Sequence, residues 1–391
     1  MIGFGYGAGV TDTYSDHQNH KQYIDLETFP AFLLLVAMSP TKLEADDNLA
    51  LPAGAIKNVP PTYIDPISNA QTFSGLEILE GSFPIIDLEA LHSPRRSDII
   101  GQLGHACQHY GFFLVKNHGI QETMINDIIG TTREFFHLPD EEKMKSFTPD
   151  PSSGIRHDTA FQDKTNNVFV SRESLKFPIH PLEDYVNLWP SNPASFRKIA
   201  AEYFTGTKEA EIALMEAIFE SLGMERDSID KTLSKHGQYV SLNYYPRCVK
   251  SELGGTCGLR PHTDPSIITM LLLDDVPGLE VLQNDEWMAI KTFPNTLVVQ
   301  VGDLLQALSN CRYKSLLHRV IVNPEKERLS IATNCHPSND TSVGPPKELI
   351  DKDSNPAIYK NFTYKEFFSA MWQEVRANDS RLDSFKINST S

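Results

Sequence analysis

The stretches PHTDPSIITMLLLDD (Pro261 to Asp275) and KSLLHRVIVNPEKERLSIAT (Lys314 to Thr333) contain short apolar runs rich in β-branched residues. Runs of this length and composition predict β-strands. Similar runs lie before and between them, namely YVSLNYYP, LEVLQ, EWMAI and NTLVVQVG. The pair Asn284-Asp285, between LEVLQ and EWMAI, predicts a two-residue hairpin turn. A succession of short strands with tight turns predicts an antiparallel sandwich or barrel.

Five polar residues interrupt these apolar runs. His262 and Asp264 form a His-x-Asp pair, His318 follows in a later run, and Arg328 and Ser330 form an Arg-x-Ser pair. Side chains two positions apart on a strand share one face of the sheet. We therefore expect His262 beside Asp264 and Arg328 beside Ser330. The NPEKE turn predicts a hairpin that returns the Arg-x-Ser pair toward His318.

The two histidines and the aspartate have the composition of a metal site. Taken alone, a His-x-Asp pair is often a chance pair of surface groups. Burying an imidazole or a carboxylate among apolar strands is costly without a cation or hydrogen bonds, however, which favours the metal site. Two imidazoles and one carboxylate form the facial triad of non-haem Fe(II) oxygenases and leave one side of the metal open. The sequence therefore predicts His262, Asp264 and His318 as Fe(II) ligands.

The Arg-x-Ser pair predicts an anion site beside this metal. A guanidinium binds a carboxylate through two parallel hydrogen bonds, and the hydroxyl of Ser330 adds a third donor. Without the triad, a surface arginine on a turn would be the simpler interpretation of Arg328. An acid that chelates iron with its 2-oxo-acid end and meets Arg328 with a second carboxylate is 2-oxoglutarate. Asn243 and Tyr245, in NYYP, are candidates for further hydrogen bonds to it.

The composition narrows the class of protein. The chain has 391 residues and a formal net charge of −16, which argues against a nucleic-acid-binding surface. Its five cysteines are odd in number and have no CxxC spacing, as expected of a reduced intracellular protein. The most apolar run near the N-terminus, PAFLLLVAM (Pro30 to Met38), is shorter than the roughly 20 residues that span a bilayer. We expect a cytoplasmic protein without a membrane segment.

The pattern along the chain predicts four regions. Residues 1–45 are expected to be a disordered extension, because they are polar and lack periodicity. Residues 46–190 predict a mixed α/β region, and residues 191–345 the β-rich core with a long supporting helix. Residues 346–391 predict a C-terminal helix and tail.

The expected elements outside the β-rich core combine strands and amphipathic helices. His118, in a turn of the second strand, is predicted to be structural rather than a ligand, since no partner stands at ligand spacing. Ser191 is the expected cap of the long helix, and Gly111 and Gly223 are expected to follow helix ends. The predicted elements are a strand at FPIIDL, a helix over Ile99 to Tyr110, a strand within Gly111 to Ile120, and helices over Glu122 to Phe136, Pro193 to Leu222 and Tyr364 to Arg376.

Residues 140–180 are charged and weakly periodic. A long irregular segment between helical units often covers a site as a lid or wall. Phe161, Phe169 and Phe177 are candidates to line a pocket for a flat phenolic compound. Packing in the core is the alternative for each of them.

The motifs NYYPRC, HTD, the distal His318 and RLS, together with PIIDL and ACQHYGFFLVKNHGI, resemble the plant 2-oxoglutarate/Fe(II)-dependent dioxygenases of specialised metabolism. The resemblance covers roughly Pro60 to Ile387. It implies a double-stranded β-helix, or jelly roll, with helices packed against it. It also implies Fe(II) at the triad, 2-oxoglutarate at Arg328 and Ser330, O2 as oxidant and ascorbate as reductant. The implied partner is a small-molecule substrate, and we expect a monomer.

Within that family, PLEDYVNLWPSNP, YKSLLHR and RLSIAT resemble the branch of the salicylate hydroxylases of the downy-mildew-resistance type, flavone synthase I and the flavanone hydroxylases. The substrate class that this resemblance favours most is therefore a flavanone. The reaction would be hydroxylation, or desaturation to a flavone. Salicylate-type hydroxylation and oxidation of gibberellins or other terpenoids remain alternatives. A jelly-roll binding protein without catalysis is the alternative from a different class.

This chain also departs from the family pattern. Ser171 and Ser174 stand where relatives often have aromatic residues. Asn334 and His336 keep the strand parity of Arg328, so we expect both to face the pocket. The linker VKSELGGTCGLRP is about two residues longer than is usual in the family. These differences bear on the substrate rather than on the type of reaction.

The chain before Met38 is predicted to be dispensable for activity, because it shows none of the patterns of the folded region. A protein that starts at Met38 should retain the full-length activity in an assay of 2-oxoglutarate turnover. A collapse of that activity would contradict the prediction.

Overall fold

The computed structural model describes residues 77–78, 83–146, 154–159, 161–163, 168–224, 236–248, 256–370 and 381–387. The predicted N-terminal extension, and the truncation at Met38, lie outside these residues.

Short strands make up most of the regular structure. The strands are β1 Glu77–Ile78, β2 Pro84–Asp87, β3 Phe112–Lys116, β4 Arg156–Asp158, β5 Phe161–Asp163, β6 Val168–Val170, β7 Glu173–Pro178, β8 Gly237–Tyr245, β9 Thr256–Cys257, β10 Leu259–His262, β11 Ile268–Leu273, β12 Leu279–Gln283, β13 Glu286–Ala289, β14 Leu297–Val301, β15 His318–Val320, β16 Arg328–His336, β17 Ser342–Val343 and β18 Phe362–Thr363. The helices are α1 Arg96–His109, α2 Glu122–Phe136, α3 Asp140–Met144, α4 Leu182–Tyr185, α5 Phe196–Ser221, α6 Asp303–Leu308 and α7 Tyr364–Ala370, with 3-10 turns at Leu88–His92, Val186–Leu188, Lys347–Leu349 and Asp383–Phe385.

Two sheets form the centre of the protein. The major sheet has nine strands in the order β1-β2-β3-β14-β11-β16-β8-β7-β4, and the minor sheet has four in the order β10-β15-β12-β13. Neighbouring strands are antiparallel in both sheets, except for the parallel pair β2 and β3. Strands that are distant in the sequence are neighbours in each sheet, as in a jelly roll. The predicted fold class is confirmed.

The major sheet has a hydrophobic cluster on each face. One cluster joins its outer face to α1, α2 and α5. The other lies between the two sheets and includes Leu271 and Val298 of the major sheet with Val281 and Val320 of the minor sheet. Alternation along the strands sends successive side chains to these two faces. The space between the sheets is therefore the interior into which inward-facing polar groups project.

The helices follow the predicted pattern closely. Helix α2 has the predicted bounds, and Gly111 adopts a positive φ of 64° just after α1, as expected for a helix end. Helix α5 begins at Phe196, three residues after the predicted start at Pro193. The predicted cap at Ser191 is wrong, because Ser195 stands at the N-cap and makes no side-chain capping hydrogen bond. Helix α7 begins at Tyr364 as predicted, and its predicted end lies outside the described residues.

Two expectations about local structure are wrong. Residues 140–180 are not irregular: four strands lie there, and two of them, β7 and β4, extend the major sheet. The NPEKE segment turns at Asn323, whose side chain accepts backbone hydrogen bonds from Glu325 and Lys326. It does not close a hairpin, because β15 belongs to the minor sheet and β16 to the major sheet. The turn instead carries the chain from one side of the interior to the other.

The predicted hairpin at Asn284-Asp285 is present. Both residues have positive φ values, 51° and 63°, as a two-residue type I′ turn requires, and β12 pairs with β13 across them. Among the residues that the structure describes, no helix is long and apolar enough to cross a membrane. Four cysteines of this part of the chain, Cys107, Cys248, Cys311 and Cys335, are free thiols.

Gly302 allows two segments of the interior to touch. A Cβ at this position would overlap the backbone carbonyl oxygen of Ser266. Gly302→Ala must therefore displace backbone, and we expect the free energy of unfolding to fall by about 1–3 kcal/mol. Thermal and denaturant unfolding measure this change. The matched control is Gly130→Ala in α2, where a Cβ meets nothing within 4 Å and alanine should be neutral or slightly stabilising. Equal stabilities of the two variants would contradict the prediction.

Candidate active site

The two predicted histidine ligands lie on neighbouring strands of the minor sheet. His262 is the last residue of β10, His318 is the first residue of β15, and the two are directly paired in the strand register. Their rings are 4.1 Å apart between centroids. The ring of Phe112, on the major sheet, packs edge-on against His318 at 5.6 Å. The register therefore places two imidazoles side by side in the interior.

Asp264 completes the group from a loop. It follows the end of β10, so the expectation that it continues the strand with His262 is wrong. Its Oδ1 nevertheless lies 3.6 Å from Nε2 of His262 and 3.6 Å from Nε2 of His318. The three ligand atoms lie within 4.8 Å of one another, a grouping that can hold a metal ion. In the described part of the chain no other set of three such residues converges in this way.

Hydrogen bonds leave both Nε2 atoms available to a metal. Nδ1 of His262 lies 2.8 Å from the carbonyl oxygen of Arg260, and Nδ1 of His318 lies 3.3 Å from that of Leu316. A carbonyl oxygen only accepts, so each Nδ1 carries the proton and each Nε2 carries the free lone pair. Burial lowers the pKa of His262 well below 6.5, and the neighbouring His318 lowers it further. The neutral imidazole, the form that binds metals, is thus the native form of His262.

The loop of Asp264 is fixed by residues that the sequence analysis missed. Gln300 of β14 donates a hydrogen bond from Nε2 to Oδ2 of Asp264, which leaves Oδ1 toward the histidines. The backbone N–H of Asp303 donates to the carbonyl of Asp264 at 2.8 Å, and its carboxylate accepts from Thr263 Oγ1 at 3.0 Å. Arg381 donates to the carbonyl of Thr263 at 2.7 Å. In the sequence, the polar Gln300 stands out within the apolar run NTLVVQVG and could have indicated this role. Nothing in the sequence around Arg381 indicates its contact with Thr263.

The four residues predicted to bind 2-oxoglutarate form two cross-strand pairs on the inner face of the major sheet. Arg328 of β16 lies opposite Tyr245 of β8, and Ser330 lies opposite Asn243. The Arg328 guanidinium carbon is 5.2 Å from the centre of the Tyr245 ring. Asn243 donates from Nδ2 to Oγ of Ser330 at 3.3 Å, so the Ser330 hydroxyl proton remains free for a ligand. The structure thus brings all four residues together.

The Arg328 guanidinium fits a bound carboxylate. The residue is 1% exposed, and Nε donates to the carbonyl of Val276 at 3.2 Å. Its Nη1 is buried and has no hydrogen-bond partner in the described structure. An orphaned donor on a buried cation is costly unless an anion occupies the adjoining space. This donor beside a free hydroxyl on the same face matches the carboxylate end of 2-oxoglutarate.

Of the other residues that the sequence pointed to, some lie in the core and one faces the interior. His118 is buried and accepts from the N–H of Ile120, outside the metal group, as predicted. Phe177 is buried in the helix-side core against Trp189, so its predicted alternative as a core residue is confirmed. His336 stacks on Tyr364 at the helix side, which contradicts its predicted position at the pocket. Asn334 faces inward and accepts a hydrogen bond from Thr269, and the side chains of Phe161 and Phe169 lie outside the described part.

Two protein-family models and several known proteins are similar to this chain. Residues 236–337 match the model of the 2OG-Fe(II) oxygenase superfamily, and residues 83–192 match that of the non-haem dioxygenase in morphine synthesis N-terminal region. The Arabidopsis thaliana protein DMR6-LIKE OXYGENASE 2 is 42% identical over 86% of this chain and 96% of its own length. Flavanone 3-dioxygenase 2 of Oryza sativa subsp. japonica is 40% identical over 88% of this chain and 99% of its own length.

A solved structure agrees with these relatives. The crystal structure of JOX2 in complex with 2OG, Fe and JA superposes with a TM-score of 0.69 and 29% sequence identity. The match covers 91% of this chain and 97% of that one. The likeness therefore extends over both the mixed N-terminal region and the jelly roll.

Loss of one imidazole should abolish tight metal binding. We expect His262→Ala to weaken Fe(II) or Co(II) affinity by at least roughly 100-fold, because one of three protein ligands is removed. Equilibrium metal titration measures it. The matched control is His92→Ala, an exposed histidine outside the metal group, which should leave affinity unchanged. Equal metal affinity in the two variants would contradict the assignment.

Proposed function

Since this chain belongs to the 2OG-Fe(II) oxygenase superfamily, we propose that His262, Asp264 and His318 hold its Fe(II) and that Arg328 and Ser330 bind the far carboxylate of 2-oxoglutarate. The protein is a 2-oxoglutarate-dependent dioxygenase with an Fe(II) cofactor. In the proposed reaction it hydroxylates or desaturates a small plant metabolite.

One observation carries the assignment of the co-substrate. Arg328 is a fully buried arginine with a free Nη1 donor, and Ser330 on the same face has a free hydroxyl proton. Both project into the interior that also contains the triad. A dicarboxylate with a chelating 2-oxo-acid end satisfies the triad and the arginine at once.

The side chains of this protein bind and orient rather than transfer protons. When bound, Fe(II), 2-oxoglutarate and O2 supply an oxidation that yields succinate, CO2 and a hydroxylated or desaturated product, and ascorbate keeps the iron reduced. Gln300 and the Asp303 backbone hold Asp264 in position. The apolar residues between the sheets exclude water from the reacting groups. No side chain is required as a general base.

Two substrate classes lead the proposal, and gibberellins or other terpenoids are the further alternative. A flavanone is supported by the likeness to the relative named flavanone 3-dioxygenase. A phenolic acid of the salicylate type is supported by the 40% identity to the Arabidopsis thaliana protein DOWNY MILDEW RESISTANCE 6. A binding protein without catalysis is disfavoured, because the triad and the Arg328–Ser330 pair are intact.

Arg328→Lys tests the co-substrate site. A lysine keeps the charge but loses the two-pronged donor, and hydrogen bonds to charged groups contribute about 1.5–3 kcal/mol each. We expect the KM for 2-oxoglutarate to rise by about 10- to 100-fold, measured as succinate release. The control is Arg319→Lys, whose guanidinium pairs with Glu280 and stacks on Trp287 away from the site. An unchanged KM in Arg328→Lys would reject the assignment.

The substrate class is tested with the wild-type protein. Incubation with Fe(II), 2-oxoglutarate, ascorbate and a panel of flavanones, salicylate and diterpenoid acids should yield succinate in step with one product. A product mass 16 Da higher than the substrate indicates hydroxylation, and one 2 Da lower indicates desaturation. If no succinate forms with any of these compounds, or with 2-oxoglutarate alone, the result would support a binding protein without catalysis.

A further inference from the structure

The inner face of the major sheet changes from apolar to charged toward its β8-β7-β4 edge. Ser174 of β7 lies opposite Asn243 of β8 and, on its other side, opposite Asp158 of β4. One step along the strands, Lys176 lies opposite Ser241 and Arg156. Directly opposed residues share a face, so these side chains face the same interior as Asn243 and Ser330.

We call the charged part of the inner face on β7 and β4 the β7-β4 wall. Within this wall, Lys176 and Asp158 form an ion pair without net charge. Nζ of Lys176 lies 2.6 Å from Oδ2 of Asp158, and the Ser174 hydroxyl donates to the same oxygen at 3.4 Å. The Lys176 side chain is 22% exposed although it points inward. Solvent therefore reaches this part of the inner face, and a small ligand can reach it as well.

Two further cations of the wall have no such partner. Arg156 and Arg172 are both half-buried, and in the described part of the chain neither guanidinium has a carboxylate within the 4.0 Å of an ion pair. Arg172 immediately precedes β7 and has the strand parity of Ser174 and Lys176, so it belongs to the same face of the sheet. Its charge lowers the pKa of Asp158 and of Lys176, its neighbours in the same wall. Burial lowers the pKa of Arg156, as expected for a cation without full compensation.

The charges of the proposed reaction centre balance without these two arginines. The charges of Fe(II), the Asp264 carboxylate, the 2-oxoglutarate dianion and Arg328 sum to zero. Lys176 and Asp158 also cancel. Arg156 and Arg172 then leave two positive charges inside a chain whose net charge is −16. Half-buried cations of this kind favour an anion that binds between them.

We propose that Arg156 and Arg172, supported by Lys176 and Ser174, form a subsite for a carboxylate of the prime substrate. The substrate is then a small organic acid whose carboxylate lies on the β7-β4 wall while its reacting carbon faces the triad. This inference rests on the proposed function and narrows it. A flavanone has no carboxylate, whereas a phenolic acid does.

The test compares acids with their methyl esters. Calorimetric titrations under anaerobic conditions, with Fe(II) and 2-oxoglutarate bound, use salicylate, cinnamate and gibberellic acid, each beside its methyl ester, and naringenin as a flavanone. At least one acid should bind about tenfold or more tightly than its ester, since charge-assisted hydrogen bonds are lost in the ester. Equal affinities within every pair, or tight binding of naringenin alone, would overturn the proposal.

Variants assign the effect to the two arginines. Arg156→Gln and Arg172→Gln should each weaken binding of the preferred acid about tenfold and leave its ester unaffected, while Arg→Lys at either position should retain most of the affinity. The matched control is Arg319→Gln, on the minor sheet, which should change neither ligand. The melting temperature should not fall in Arg156→Gln, because an uncompensated cation is removed. Equal weakening of acid and ester would assign the arginines a merely structural role.

The same titrations separate this proposal from the proposed function. Binding of Fe(II) and 2-oxoglutarate is measured before any acid is added. If neither binds, the proposed function fails. If both bind and no acid is preferred over its ester, only the carboxylate subsite fails.

Discussion

Charged groups buried between two apolar sheets are the constraint on which the rest of this structure depends. Arg328, Asp264 and His318 are all buried. Each would destabilise the fold if it had no partner, because an uncompensated charge or an unmade hydrogen bond in such an interior is costly. The proposed ligands, a cation at the triad and an anion at Arg328, would complete the electrostatic balance of this interior.

The jelly roll supplies these groups from both of its sheets. The histidines come from the minor sheet, where β10 and β15 pair, whereas Arg328, Ser330, Tyr245 and Asn243 come from the major sheet. The loop of Asp264 bridges the two, and the Gly302–Asp303 backbone holds it through short contacts. The site is thus built on strands, with one loop ligand that is fixed by its neighbours. Strand-borne groups keep a defined geometry better than groups on free loops.

The local pattern of the sequence predicts most elements and identifies side chains that converge in the candidate site, but it predicts less well how distant segments meet. Helix α2 and the Asn284-Asp285 turn follow from periodicity and turn chemistry, which are local. The strands within residues 140–180 were missed, since short strands with charged inward positions such as Arg156 and Lys176 show no apolar alternation. The predicted hairpin at NPEKE is wrong, because the sequence does not indicate which sheet each of two successive strands joins. The roles of Gln300 and Arg381 were not predicted for a related reason. Each depends on a contact with a residue that is distant in the sequence, by 36 and 118 positions respectively.

The central claim is that one interior holds Fe(II) at the triad and 2-oxoglutarate between that metal and Arg328. A crystal structure of the protein with Mn(II) and 2-oxoglutarate, determined without O2 and with anomalous data at the manganese edge, tests it most directly. The account predicts one anomalous peak bonded to Nε2 of His262, Oδ1 of Asp264 and Nε2 of His318, with the far carboxylate on Nη1 of Arg328 and the Ser330 hydroxyl. A metal bound elsewhere, or 2-oxoglutarate that does not contact Arg328, would contradict it.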